Sequence, residues 1–495
     1  MHSSRWLILA AVMMAFTPVV VDTTILHIAI PSLAVALGAS GNEVLWIIDV
    51  YPLVMAGLLV PMGTLADRIG YRQILLIGLG IFGAASIAAA FSTSALMLIV
   101  MRAVLGIGSA MIMPCVLALV RQAFEDDAER ATALGIWSVV GMAGAAIGPL
   151  IGGVLLEHFW WGSVFLVNVP IMMLVIPAVW KLVPSQPGNS EATWKPGQAL
   201  LLVAGLILTV YGIKSGFKAG LDLQSVVILT SGVALLVWFS RIQISSENPM
   251  LDLSLLAKPA IGTGLIMAFV ASGSLAGFEL VLAQELQYVL DKTPLEAGVF
   301  MLPIVVAAAI GGPAGGRLAN RYGLRAVASL SMAAAALALF AISMSDLAED
   351  VYAVAVILAI LGFALGVGLL ASSIAIMGSA PAEKAGAAGA LESSGYELGG
   401  GLGITIFGVL VNSIYRSSFS HPADVDGVSN SISEAMTAAR DIGGSAGLEI
   451  AVAAKVAFGA AHSSVLMLVA AMIAVLSVLI FVALRNAPIS NSGAH

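Results

Sequence analysis

Charge is scarce in this sequence. Only 10% of its 495 residues are Asp, Glu, Lys or Arg, against about 25% in an average soluble protein. That is too little to cover the surfaces of the roughly three water-exposed domains that such a length would otherwise furnish. Cysteine is scarcer still. Cys115 stands alone, which excludes an internal disulfide and a zinc–thiolate centre. The six histidines lie far apart without ligand spacing, so neither a metal nor a prosthetic group is implied. No G-x-x-x-x-G-K-[ST] phosphate loop occurs, so ATP is not expected to drive this chain by itself. A net charge of −7 offers no basic footprint for nucleic acid.

What the sequence has in abundance is apolar side chains, 60% of the total, with a mean hydropathy of +1.04. A bilayer core takes roughly 20 apolar residues per helix. Runs of that kind, broken by charge, Gly and Pro, predict fourteen spans at 6–30, 44–66, 74–92, 96–120, 133–156, 163–183, 198–217, 224–243, 259–282, 295–316, 326–345, 350–373, 386–413 and 464–484. Arg5 before an apolar run has the look of a signal peptide, but the run outlasts a short h-region and is read as the first span. With the N-terminus in the cytoplasm, fourteen basic residues face that side and six face out: Lys214, Lys218, Lys292, Arg416, Arg440 and Lys455. That bias places both termini in the cytoplasm of a bacterial inner-membrane protein.

The chain repeats itself. Gly63-Thr-Leu-Ala-Asp67-Arg68-Ile-Gly70-Tyr-Arg72 follows span 2, and Gly316-Arg-Leu-Ala-Asn320-Arg321-Tyr-Gly323-Leu-Arg325 follows span 10, at an offset of 253 residues. Gly144, Gly148 and Gly152 in span 5 match Gly395, Gly399 and Gly403 in span 13, each set at four-residue spacing that lets helix backbones approach closely. The organisation is therefore a six-span half (1–183), a linker with inserted spans 7 and 8 (184–258), a second six-span half (259–484) with an outer loop at 415–462, and a tail (485–495). Duplicated halves around a central site are a transporter design.

These segments resemble the major facilitator superfamily. The first loop, with Gly63, Asp67, Arg68, Gly70 and Arg72, resembles its motif A. Gly144-Ala-Ala-Ile-Gly148-Pro149-Leu-Ile-Gly152-Gly153 resembles motif C, associated with drug:proton antiporters. Asp22-Thr-Thr-Ile-Leu-His27-Ile-Ala29-Ile-Pro31 is similar to the D-x-T-x-x-N-x-A-x-P signature of the fourteen-helix drug exporters, and Arg102 with Gly106 and Gly108 resembles motif B. Trp46 with Tyr51 and Asn168 with Pro170 fit the same pattern, closest to efflux pumps of the methyl-viologen and quaternary-ammonium resistance type. The departures are His27 in place of Asn, Gly162-Ser163 in place of Arg-Trp, and Asn320 in the second loop. The resemblance implies an all-α major facilitator fold. It also implies Arg102 as a coupling residue in proton transfer and Asp67 as a gate latch to a neighbouring helix.

Ionisable residues within a membrane are costly, so each one is a candidate functional site. Asp22 lies about 16 residues into span 1, roughly 24 Å along the axis. Burial disfavours the ionised carboxyl, so such a group can hold a proton or a cation in its place. Its plainer role is a hydrogen bond to Thr23 or a neighbouring helix. In span 13, Glu392 and Tyr396 share a face, whereas Glu397 lies about 140° away from Glu392. An acid beside an aromatic ring suits an organic cation. A dication would gain from two acids, Asp22 and Glu392, where a monocation gains mainly from one. Asp49 and Glu279, near the outer ends of spans 2 and 9, are expected to line the mouth, with Trp46 and Tyr51 as cavity or interfacial aromatics. Arg102 cannot deprotonate and must find acceptors. In the outer loop, residues 431–441 and 446–461 predict two short helices, with Ile432, Met436 and Ala439 on one face. They form a cap, a contact for an envelope partner, or a plain loop.

The reading is a proton-coupled exporter of organic cations. The alternatives are an importer or facilitator of a neutral or anionic nutrient and, in another class, a membrane sensor or scaffold.

Overall fold

In the computed structural model, residues 2–124, 126–188, 194–219, 222–247, 249–381, 384–419 and 430–486 are described. The middle of the predicted outer loop (420–429) and most of the predicted tail (487–495) lie outside them. The described chain is almost entirely helical: α1 (His2–Leu37), α2 (Gly41–Ile69), α3 (Tyr71–Ala90), α4 (Ala95–Ala123), α5 (Asp127–His158), α6 (Ser163–Leu166), α7 (Asn168–Leu182), α8 (Pro196–Ala219), α9 (Leu223–Ser245), α10 (Pro259–Gln284), α11 (Pro294–Tyr322), α12 (Leu324–Ser343), α13 (Val351–Ser379), α14 (Ala385–Ser418), α15 (Ile432–Ile442) and α16 (Gly444–Ala483). Among the described residues, fourteen helical stretches are long and apolar enough to cross a membrane, with α6 and α7 together making one of them. This is the all-helical, fourteen-span membrane protein that the sequence predicts.

The chain forms two compact units, residues 1–216 with 221–239, and residues 217–220 with 240–495. Within the first, α1 packs on α5, α2 on α4 and α3 on α7; within the second, α10 packs on α14, α11 on α13 and α12 on α16. First-with-fifth, second-with-fourth and third-with-sixth is the same pairing twice.

The repeat extends well beyond the segments 63–72 and 316–325. Ser40 caps α2 in a capping box with Glu43, and Thr293 caps α11 in one with Glu296. The two boxes stand 253 residues apart, each satisfying backbone donors that an apolar helix start would leave bare. At the other ends, Gly70 and Gly323 hold positive φ values of 113° and 84°. Arg72 then donates to the carbonyl of Trp180 near the end of α7. Its repeat partner Arg325 donates through Nε to the carbonyl of Phe481 near the end of α16 at 2.7 Å, its guanidinium 3.7 Å from that ring's centroid. In each unit, therefore, the loop arginine satisfies an orphan carbonyl at the C-terminal end of the sixth span. Asp67 accepts a hydrogen bond from Tyr71, on the adjacent turn.

The glycine series do what their spacing predicts. On α5, Gly144, Gly148 and Gly152 face Val20, Thr24 and Ile25 of α1; on α14, Gly399 and Gly403 lie against the backbone of Phe269 and Gly273 on α10.

Two expectations are corrected. Residues 446–461 are not a separate short helix but the first part of α16, which runs unbroken over 40 residues. The charged Glu449 and Lys455 lie within this helix and do not end it. The buried residues of α15 are Ile432, Ser433, Ala435 and Ala439, so that Met436 of the predicted face is only half-buried.

Gly403 and Gly400 give a matched test of the backbone contact. A Cβ at Gly403 would meet the Gly273 backbone, which cannot move aside, whereas one at Gly400 meets open space. Gly403→Ala is expected to destabilise the protein by about 1–3 kcal/mol. Gly400→Ala should be neutral or stabilising by up to about 1 kcal/mol. Thermal unfolding of the two purified variants checks both.

Candidate functional site

Asp22 on α1 and Arg102 on α4 are both 1% exposed, and the Arg102 guanidinium forms an ion pair with Asp22 Oδ2. A carboxylate removed from water needs a counter-charge, and here a second helix supplies it. Arg102 also donates through Nε to the carbonyl of Ile47 on α2 at 3.0 Å and stands 4.4 Å from the centroid of the Tyr51 ring. The Tyr51 hydroxyl lies 2.7 Å from Ser109 Oγ on α4. A charge, a carbonyl dipole and a ring face thus hold one guanidinium, and α1, α2 and α4 converge on it. The other oxygen, Asp22 Oδ1, makes no hydrogen bond among the described residues. Asn168, on α7, stands beside the carboxyl and donates to Ser86 Oγ at 3.3 Å. Tyr51 is fully buried, so it belongs to this cluster and not to an interfacial belt.

The motif C glycines explain why α1 sits where it does. Thr24 and Ile25, one turn from Asp22, press against Gly148 and Gly152 of α5. That contact fixes the height and rotation of the Asp22 turn. His27, five residues on, is buried and lies on another face of α1.

Asp49 does not line an open mouth as the sequence predicts. It is fully buried, with Oδ2 2.7 Å from Lys214 Nζ on α8. Lys214, expected to face outside at the end of its span, is instead buried inside the protein. Its ammonium sits 4.1 Å from the centroid of Trp46. Sequence reasoning missed this partner because a lysine near a span end reads as a topology signal.

In the second unit, the Tyr396 hydroxyl lies 2.8 Å from Glu392 Oε1, as the shared face predicts. The same hydroxyl is 3.0 Å from the Leu369 carbonyl and 3.2 Å from Ser372 Oγ on α13, which fixes the ring. Ser272 of α10 donates to the Tyr396 carbonyl at 2.9 Å. Among the described residues, neither Glu392 nor Glu397 has a cationic partner. Glu279 is buried on α10. A further acid in this unit escaped the sequence reading. Glu285 opens a π-helical turn (Glu285–Val289) after α10 and lies 3.5 Å from His462 of α16. The two are 177 residues apart with no motif linking them.

Asp22 and Asp49 of the first unit therefore carry internal cations, and among the described residues the acids of α14 do not. At an effective dielectric of 20, a cation 4 Å from a carboxylate gains about 4 kcal/mol. That is enough for a substrate cation to displace a proton from an acid that has no other partner.

Comparisons with known proteins agree with this architecture. The chain is 45% identical to the methyl viologen resistance protein SmvA of Salmonella typhimurium, over 98% of this chain and 99% of that one. It is 33% identical to the multidrug efflux pump LfrA of Mycolicibacterium smegmatis, over 97% and 96%. The crystal structure of a bacterial homolog of the human lysosomal transporter Spinster, inward-facing and occupied, shares the fold with a TM-score of 0.70 at 16% identity, covering 96% of each chain. Residues 12–404 match the Major Facilitator Superfamily, and this multi-pass membrane chain is a member of that transporter family.

Proposed function

We propose that this chain is a proton-coupled antiporter. It exports organic cations and cationic drugs or biocides across the cytoplasmic membrane, with both termini in the cytoplasm. The substrate class is methyl viologen, quaternary ammoniums, dyes and biguanides, and the halves alternate access. The observation that carries the reading is Glu392: an acid in a membrane helix, bonded to a fixed tyrosine and lacking a basic partner among the described residues. Full-length similarity to a methyl viologen resistance protein and to a multidrug efflux pump supports the direction and the substrate class.

The chemistry follows from charge balance. Glu392 holds either a proton or a cation, so binding of one releases the other. Tyr396 orients the carboxylate and offers its ring face to a quaternary nitrogen. Asp22 is already neutralised by Arg102. A proton arriving at Asp22 removes the counter-charge and frees the guanidinium, which loosens α1 from α4. That exchange couples proton movement to helix movement. Asp67, Arg68 and the loop around them serve the gate on the cytoplasmic side.

In everted membrane vesicles, adding methyl viologen should release protons on the side from which it is taken up. Drug transport with no proton movement would exclude antiport. Glu392→Gln should raise the Kd for a viologen dication at least tenfold, which corresponds to about 1.4 kcal/mol, and that for a monocation of similar size by less. Equilibrium binding to purified protein measures both, and an equal loss would assign Glu392 to protons or packing.

Asp22→Asn should abolish resistance at an unchanged membrane level. Arg102→Ala strands a buried carboxylate and should cost about 3–5 kcal/mol. The neutral pair Asp22→Asn with Arg102→Gln should recover most of the folded protein without recovering transport. Immunoblots of membranes and unfolding in mixed detergent separate the two effects.

A further inference from the structure

The inserted helix α8 does more than fill space beside the first half. Gly57 on α2 lets α8 approach so closely that a Cβ there would stand 2.6 Å from Val203 Cγ2. Tyr211 meets Trp46, with ring centroids 6.1 Å apart. Trp46 pairs with Tyr211 while Gly57 pairs with Val203, so the two helices run antiparallel. On this seam the side chain of Lys214 is 1% exposed and that of Asp49 fully buried, and the ammonium lies between the carboxylate at 2.7 Å and the Trp46 ring at 4.1 Å.

An acid on one side and an aromatic face on the other is the set of groups that recognises an organic ammonium ion. Here the ammonium belongs to the protein itself. We propose that Lys214 is a specificity-determining residue, a tethered cation that occupies an acid-and-aromatic cage formed by Asp49 and Trp46 and so withholds that carboxylate from organic cations. This gives the inserted helix pair a chemical task, which is to set how many acids of the first half are open to substrate. The inference rests on the export of organic cations proposed above, and two of its readouts do not.

Removing the tether should open the cage. Lys214→Ala deletes the charge and clears the space that the ammonium fills. The full-length variant, purified, should bind methyl viologen at pH 8 at least tenfold more tightly than the wild type, or with one additional equivalent. The gain should vanish in Lys214→Ala with Asp49→Asn, which should keep the wild-type Kd. Infrared spectroscopy gives a readout independent of any drug. At neutral pH without ligand, Lys214→Ala should show a protonated-carboxyl band that is absent from the wild type and from the double variant.

Unchanged affinity and no new band in folded Lys214→Ala would overturn the proposal. So would a double variant that binds methyl viologen tenfold more weakly than the wild type, because Asp49 would then be taking the cation with Lys214 in place. If Lys214→Ala does not accumulate, the neutral double variant decides alone: wild-type affinity supports the tether and weakened affinity refutes it. If the wild type itself neither binds methyl viologen nor releases protons, the export reading fails, while the infrared band still reports on the cage.

Discussion

An ionised group inside a bilayer has to find an opposite charge or a proton, because the low-dielectric interior makes a lone charge untenable. Much of this molecule's internal arrangement follows from that constraint. In the first unit each deep acid has been given a cation from another helix: Arg102 of α4 for Asp22, and Lys214 of α8 for Asp49. Each pair ties two helices together, and each is backed by an aromatic ring, Tyr51 or Trp46. In α14 of the second unit, Glu392 accepts a hydrogen bond from a tyrosine hydroxyl and has no basic partner among the described residues. In the proposed antiport cycle such an acid is the place for exchangeable charge, whereas the paired acids release their partners only when something else neutralises them.

The two units have the same frame and different charges. Capping boxes at Ser40 and Thr293, positive-φ glycines at 70 and 323, and arginines at 72 and 325 that close the sixth span recur at one spacing. These groups satisfy backbone atoms at helix ends, a need that both halves share. The deep ionisable residues do not recur at that spacing. The scaffold recurs in both units, and the acids and bases are placed on it asymmetrically.

The inserted helices illustrate how a topology signal can mask a contact. Lys214 lies near the end of its span, and basic residues there normally report which side of the membrane a loop occupies. Its actual position depends on Gly57 of α2, 157 residues earlier, which brings α8 close enough for the ammonium to reach Asp49. The Glu285–His462 pair is comparable, since a π-helical turn rotates Glu285 toward a helix far along the chain.

Sequence alone determined the membrane class, the fourteen spans, the duplication, the close glycine-lined contacts and the Glu392–Tyr396 neighbour pair. Each of these is local or periodic: a run of about 20 apolar residues, a repeat at fixed offset, residues four apart on one helix face. Tertiary structure alone decided which acids are neutralised and by what. An ion pair between helices depends on their mutual height and rotation to within an ångström or two, which no spacing within one segment encodes. It also decided that 446–461 joins the last span, because helix continuity depends on the absence of a breaker and charge alone does not end a helix. Asp22 and Asp49 look alike as isolated carboxylates in the sequence; folding gives one to an arginine and the other to a lysine, because α4 and α8 are the helices whose bases reach them.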